Sequence, residues 1–559
     1  MPTWLIIVCV VLYMAILFGI AWQRDQEATK PGFTQSPIIY ALAIAVYCTS
    51  WTFFGAVGTA ASSGWDYLPI YLGPALVFLL LPGLLRRIGN VVEREGVTSL
   101  SDFLASRYGK SRAIGAIVAI GAVVGSLPYI ALQLKSVGMS VQAMTKPVGE
   151  IPTQSGAEPV LITAIGLALF AILFGARHAD LTRRNAGLMR VLAFEAIIKI
   201  VALIAVAALS LSLIGSASIE RVPRVADVFP ADFSARFITF TLLSMAAIIC
   251  LPRQFHVGFI ERRGDRDASI ARWVFPIYML LTSIVVIPIT IAGAGGLPGS
   301  IPADLYVLEL PLLNDQSWLA LLVFLGGFSA ATGMVIVATI ALSNMVTNEL
   351  IVPAFMRSGN LSNISGDAGA RILSIRRIVI VSIILLAYGY FRIGGSSEAL
   401  AQIGLLSFAA AAQFAPALLG AVYWRGAKQA GAVWGLSLGL IAWAYTLFIP
   451  AIVGHEVMMT AVPVWLDPHA LFGLSFGDSL VHGVIWSLGL NTLGFVTASV
   501  RTPERLRDRI QAAAFVGENI SGTGLRAPTQ TIAHLVTPDG LKALASRFLS
   551  AEAVAHAFD

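Results

Sequence analysis

Long apolar runs alternate with short polar, charge-bearing ones along the whole chain, and the runs are long enough to predict membrane spans. About thirteen fall near residues 3–22, 37–60, 64–85, 112–145, 158–176, 189–215, 236–259, 273–295, 317–345, 374–391, 399–423, 430–452 and 479–500. The second run differs from the others. Between Tyr40 and Gly64 it is apolar overall, yet its middle holds Thr49, Ser50, Thr52, Gly55 and Gly58. In hydrocarbon a freed backbone carbonyl is expensive unless something replaces its hydrogen bond. Two readings fit: a broken helix whose opened carbonyls line a site for an ion or solute, or close helix packing through small residues. Pro252 predicts a second interruption, because proline removes a backbone donor and clashes with the preceding turn.

Composition agrees with the pattern. The chain is 57% hydrophobic and 12% charged, with mean hydropathy +0.80, whereas soluble domains carry about 25% charged residues. The charges segregate between alternate loops. One set carries most of the arginines, among them Arg86, Arg87, Arg183, Arg184, Arg262, Arg263, Arg376 and Arg377; the other holds only Lys146, Arg221, Arg224, Arg236 and Arg392. The positive-inside rule makes the first set cytoplasmic, with the N-terminus outside and the C-terminus inside. This accounts for the net charge of +6 without nucleic acid. Cys9, Cys48 and Cys250 all lie in apolar runs, which argues against a disulfide framework or a zinc site. Trp4 to Trp22 lacks a basic start and a small-residue cleavage site, so it reads as a retained span rather than a signal peptide. No catalytic motif is present, so an enzyme is not expected in residues 1–559.

Two polar stretches predict structure outside the membrane. Thr98 to Gly109 reads as a short cytoplasmic helix, with Ser99 and Asp102 as a capping box and Gly109 as the stop. Beyond Arg501 the composition turns polar. Thr537-Pro-Asp-Gly offers a helix start, followed by Leu541, Leu544 and Phe548 at helical spacing. Residues 501–559 are too few to bury a core alone, so the tail is expected to dock on a partner or lead into further protein.

Several ionisable residues fall within or beside the apolar runs. Asp66 follows the outer end of the second run, and a carboxylate entering a membrane is usually functional. Lys135, close to Gln133, lies too deep in the fourth run to reach the headgroups easily, so it should face a polar cavity or a carboxylate, Asp66 being one candidate. Glu195 and Lys199 are four residues apart on one face and read as a self-neutralising structural pair. Arg253, after Pro252, suits either an inner gate or a headgroup anchor.

Three stretches together carry a resemblance: the broken run at 40–64, Ser99-Leu-Ser-Asp-Phe-Leu-Ala-Ser-Arg-Tyr-Gly109, and Cys250-Leu-Pro-Arg-Gln-Phe-His-Val-Gly-Phe259. Over about residues 1–500 they resemble the sodium:solute symporter family. The resemblance implies an all-α polytopic membrane protein with about 13 transmembrane helices. It also implies a five-plus-five inverted-repeat (LeuT-like) core at about 37–215 and 236–423, followed by a small helical cytoplasmic segment. Leu251-Pro-Arg-Gln-Phe-His, Ser329 to Thr339 and Gly404 to Tyr423 are similar to the symporter-type input domain of bacterial sensor histidine kinases. Residues 501–559 then look like the linker toward a kinase module and its response regulator.

The resemblance also implies site residues. Trp51, Thr52, Trp65, Asp66, Tyr129, Gln133, Lys135 and Gln413 are expected to bind solute, with Phe53 lining the pocket. A sodium site would use the carbonyls of Ala45 and Cys48 with Ser329, Thr332 and the Gly333 position. Gly333 and Met334 stand where the family pattern has paired hydroxyls, and a thioether suits sodium poorly. Sodium, a proton or no ion therefore remain open as the coupling agent, and no cofactor is expected. The function implied is a cation-coupled, transporter-like module for a small organic solute, an amino acid or short carboxylate, in the bacterial inner membrane. It would serve as sensory input to a two-component kinase. A stand-alone symporter and a non-transporting solute receptor are the alternatives.

Overall fold

The computed structural model describes residues 2–28, 35–146, 157–175, 185–216, 223–229, 234–357, 368–393 and 400–516. The helices predicted after Thr537 lie outside them. Among the described residues there are helices and turns but no strand. In chain order the first half holds α1 (Thr3–Ala28), α2 (Pro37–Ile44), α3 (Ala56–Ser63), α4 (Pro69–Leu80), α5 (Pro82–Glu95), α6 (Leu100–Arg107), α7 (Arg112–Thr145), α8 (Ala157–Gly175) and α9 (Ala186–Gly215). The second half holds α10 (Ala235–Cys250), α11 (Pro252–Phe255), α12 (Asp265–Gly296), α13 (Tyr306–Leu313), α14 (Ser317–Val346), α15 (Ala368–Ile393), α16 (Leu400–Ala412), α17 (Ala415–Tyr423), α18 (Gln429–Trp443), α19 (Ser479–Arg501) and α20 (Leu506–Val516).

Nine helices among the described residues are long and apolar enough to cross a membrane, and three bent pairs bring the count to twelve. The run expected at 158–176 appears as a shorter apolar helix, Val160–Leu173. Two of the bent pairs are the predicted interruptions. Pro37–Tyr47 and Trp51–Tyr67 meet at 72°, and Ala235–Cys250 and Pro252–Ile260 meet at 51°. The third is not expected from the hydrophobic pattern: Pro69–Leu80 turns by 78° into Pro82–Glu95. Pro82 cannot continue the preceding helix, and the charged stretch after it leaves the apolar layer.

Both broken spans continue from their breaks with π-helical turns, Trp51–Gly55 in the first and His256–Ile260 after α11 in the second. Such turns leave backbone groups out of the regular ladder and often mark functional positions. The spans are packed from several sides: α2 lies against α9 and α12, α14 against α7 and α9, and α10 against α4 and α16. Small residues permit this closeness. A Cβ on Gly73 would come within 2.7 Å of the Thr241 carbonyl, and one on Gly404 within 2.3 Å of the Trp51 ring.

The predicted loop helix is α6. Ser99 Oγ accepts from the Asp102 N–H, the Thr98 N–H donates back to the Asp102 carboxylate, and Gly109 ends the segment with φ +82°. Its last turn is buried: Arg107 donates to the carbonyls of Ala421 and Trp424, and the Tyr108 hydroxyl to that of Ala417.

Candidate solute and cation site

The first break gathers groups from five helices. At Cys48 the backbone leaves the helix for an extended conformation (φ −75°, ψ 101°), which frees carbonyls on its inner side. Thr49 shares a 3.0 Å hydrogen bond with the Tyr129 hydroxyl on α7, and the Ser50 N–H donates to Gln133 Oε1 at 3.1 Å. The Thr52 hydroxyl donates to the Thr49 carbonyl, while the Thr52 carbonyl accepts from the Tyr71 hydroxyl at 2.7 Å. Trp51 stacks on Phe240 of α10 at 5.5 Å and meets Phe408 of α16 at 4.9 Å and Tyr129 at 6.1 Å.

The second break adds a charge. Arg253 is 2% exposed, and its guanidinium lies 4.3 Å from the centre of the Tyr129 ring. Its Nε and Nη2 have no hydrogen-bond partner. Tyr129 therefore joins the two breaks, through its hydroxyl to one and its ring to the other.

A few ångströms away lies a feature the sequence reading did not foresee. Lys199 of α9 donates from Nζ to the Cys48 carbonyl at 2.7 Å and to the Ala45 carbonyl at 3.1 Å. One turn back, Glu195 Oε1 accepts from the Thr332 hydroxyl of α14 at 3.0 Å. A Cβ on Gly333 would lie 2.2 Å from Glu195 Oε2, so glycine there makes room for the carboxylate. The two charges offset each other as the spacing suggests, and beyond that expectation these side chains bond to the break and to α14. The i, i+4 spacing is compatible with pairing alone and with these further bonds, and only the packing distinguishes them.

The other expected residues divide by position. Trp51, Thr52, Tyr129 and Gln133 gather at the breaks. Ser329, Thr332 and Gly333 lie buried on α14, the last two against Glu195. Phe53 packs on Phe54 and toward Gly326, away from the Trp51 cluster. Gln413 faces the last spans, donating to Ser487 and accepting from Asn491.

Trp65 and Asp66 form an outer layer. The Trp65 indole N–H donates to the Phe229 carbonyl, and Asp66 lies 3.8 Å from Arg236, which also pairs with Asp478 at 2.6 Å. Lys135 lies in the field of Asp304, the residue over Gly58 where an added Cβ would meet a carboxylate oxygen at 1.8 Å. Burial pushes the Asp304 carboxyl up, against the opposing effects of the Leu400 N–H and the Lys135 charge. Arg236 is thus one charged neighbour of Asp66, and Asp304 one of Lys135.

On the opposite side of the breaks a cavity of about 330 Å³ is lined by Tyr40, Ile44, Arg86, Gln254, Gly258 and Arg272, among others. The Tyr40 hydroxyl bridges the two broken spans there, donating to the Gly258 carbonyl at 2.5 Å.

No family model matches the chain. Over 178 residues, 31% of the chain, it is 26% identical to a protein of Bacillus subtilis (strain 168) described as the uncharacterized symporter YhjB; the match spans 35% of that relative's length. Among solved structures, a substrate-bound, outward-open Na⁺-coupled sialic acid symporter aligns with TM-score 0.61 at 13% identity, covering 89% of this chain and 98% of its own. A manganese transporter of Eremococcus coleocola aligns at TM-score 0.47 and 16% identity over 86% of this chain and 95% of its own, too distantly to carry argument. The fold is that of the LeuT-like transporters: all-helical, polytopic, with paired broken spans.

Proposed function

We propose that the chain is a symporter-type membrane module that binds a small, carboxylate-bearing organic solute between its two breaks and carries it across the membrane. The observation that carries this reading is Arg253. A charge buried at a helix break usually marks a substrate or ion pathway, and this one has two unpartnered donors beside an aromatic wall of Trp51, Tyr129, Phe240 and Phe408. A solute carboxylate would neutralise it, with Gln133, Thr49 and Thr52 near enough to recognise the rest of an amino acid or short acid. Trp65, Asp66 and Lys135 belong to the outer entrance, Gln413 to the support behind α16. The cavity beside Ile44 and Gln254 is the exit toward the cytoplasm, with the N-terminus outside and the C-terminus inside the bacterial inner membrane.

The same reading makes the module a sensory input. Residues 1–500 form the transporter-like part and 501–559 the linker toward a histidine kinase module and response regulator. In its support, α20 docks on α6, with Phe515 against Phe103 at 5.2 Å, and α6 is tied by Arg107 and Tyr108 to the end of the second repeat. Phe103 also meets Phe255 of α11 at 5.6 Å, so movement at the second break has a packed path to the tail. The test is a panel of amino acids, short carboxylates and sugars applied to purified protein. Acids that raise the melting temperature should also accumulate in proteoliposomes. Binding without accumulation would leave a receptor, and no binding of any carboxylate would overturn the assignment.

A further inference from the structure

A break that opens carbonyls inside a membrane attracts a cation. Here the cation belongs to the chain. The Lys199 ammonium lies within hydrogen-bond distance of both the Cys48 and Ala45 carbonyls, and the 2.7 Å contact to Cys48 is in the range of a charge-assisted bond. Lys199 is 4% exposed and Glu195 1% exposed, so neither reaches water to share its charge. Its neighbours complete the arrangement. Glu195 supplies the compensating charge one turn away on α9, and Thr332 of α14 holds that carboxylate. The missing side chain at Gly333 leaves space for it. Arg253 on the second break is the other cation facing Cys48, and the titratable groups around the pair are the thiol of Cys48 and the hydroxyls of Tyr13, Tyr47, Tyr71 and Tyr278.

We propose that the Lys199 ammonium is a tethered cation that fills the cation position at the first break, so that this protein binds no sodium there. A free monovalent ion cannot share the same two oxygens with an ammonium already bonded to them, because like charges at contact distance repel strongly in a low-dielectric interior. Glu195, Thr332 and Gly333 act as positioning residues for that charge. The inference rests on the symporter-type reading for its meaning, since it removes sodium from this position, but its test uses no solute.

Purified wild-type protein should melt at the same temperature in sodium chloride as in choline chloride of equal ionic strength, and should bind no radioactive sodium above background. Lys199→Ala empties the site and leaves Glu195, Thr332 and two carbonyls facing a vacancy. That variant should show a saturable rise in melting temperature with sodium chloride and with methylammonium chloride, absent in choline chloride of equal ionic strength. Glu195→Gln in the Lys199→Ala background should abolish the rise. Saturable sodium binding by the wild type would overturn the proposal, and this arm stands even if the variants do not fold. A folded Lys199→Ala protein indifferent to both sodium and methylammonium would overturn it as well. Failure to find a transported solute leaves these outcomes readable, and a sodium site found here would leave the transport reading intact.

Discussion

Tyr129 touches both breaks through different parts of its side chain, so its two contacts can be removed one at a time. Tyr129→Phe deletes only the hydroxyl bonded to Thr49 at 3.0 Å. Both residues are at most 1% exposed, so the Thr49 hydroxyl is left in a dry environment. The net loss should be about 1–2 kcal/mol, a hydrogen bond plus part of the cost of an orphaned group. Tyr129→Leu also removes the ring beneath Arg253 and the ring contacts to Trp51 and Phe408. A desolvated cation–π contact contributes about 2 kcal/mol, and truncating a buried aromatic in a packed core costs about 3–5 kcal/mol in all. The decisive quantity is the coupling with Arg253→Met. It should be about 2 kcal/mol for Tyr129→Leu and near zero for Tyr129→Phe, which keeps the ring. Equilibrium unfolding in mixed micelles of the wild type, three single variants and two doubles supplies both cycles. Equal coupling in the two cycles, or none in the leucine cycle, would refute the claim that the ring bridges the breaks.

Gly404→Ala should be overpacked, since its Cβ would come within 2.3 Å of Trp51, which is held by Phe240 and Phe408. A loss of about 1–3 kcal/mol is expected, against little change for Gly489→Ala, whose Cβ would meet nothing within 4 Å; equal melting temperatures would contradict this packing. The loop at residues 454–478 should loosen in acid. Burial and the charge of His455 hold the His469 imidazole below its ordinary value, so its neutral form is favoured in the folded loop. The resulting stability is present above about pH 6.5 and is lost as pH falls. Burial alone would raise the Asp467 carboxyl, but hydrogen bonds from His455 and the His469 N–H hold it low, adding a second loss below about pH 4. Hydrogen exchange across residues 455–482 should therefore speed up between about pH 7.5 and pH 5.5 beyond its intrinsic pH dependence, and His469→Ala should remove that step; an unchanged step in the variant would contradict the assignment.

Much of the fold was legible because its breaks are written locally. Proline at 252 disturbs a helix whatever surrounds it, the hydroxyls and glycines at 49–58 mark a position where a break or close packing fits, and the capping box at Ser99 and Asp102 forms within one turn. The bend at Pro82 escaped because the apolar run continues up to it and hydropathy does not register direction. The site was legible in part. Trp51, Thr52, Tyr129 and Gln133 meet at the break, but the reach of Lys199 to Ala45 and Cys48 spans more than 150 residues and depends on how α9 packs on α2. A lysine four residues from a glutamate carries no mark of that in sequence. The glycine at 333 was such a mark: read as a lost hydroxyl, it is the space Glu195 occupies.

The central claim is that a solute carboxylate meets Arg253 between the two breaks. Titration calorimetry of an acid selected from the solute panel measures this directly, with wild-type protein, Arg253→Met and Arg253→Lys compared at one pH and ionic strength. Truncating one partner of a buried charge pair costs about 2–5 kcal/mol, so Arg253→Met should weaken binding at least about 30-fold, with partial recovery in Arg253→Lys. The methyl ester of the same acid should bind the wild type and Arg253→Met with similar, weak affinity. Undiminished binding of the free acid by a folded Arg253→Met protein would contradict the account.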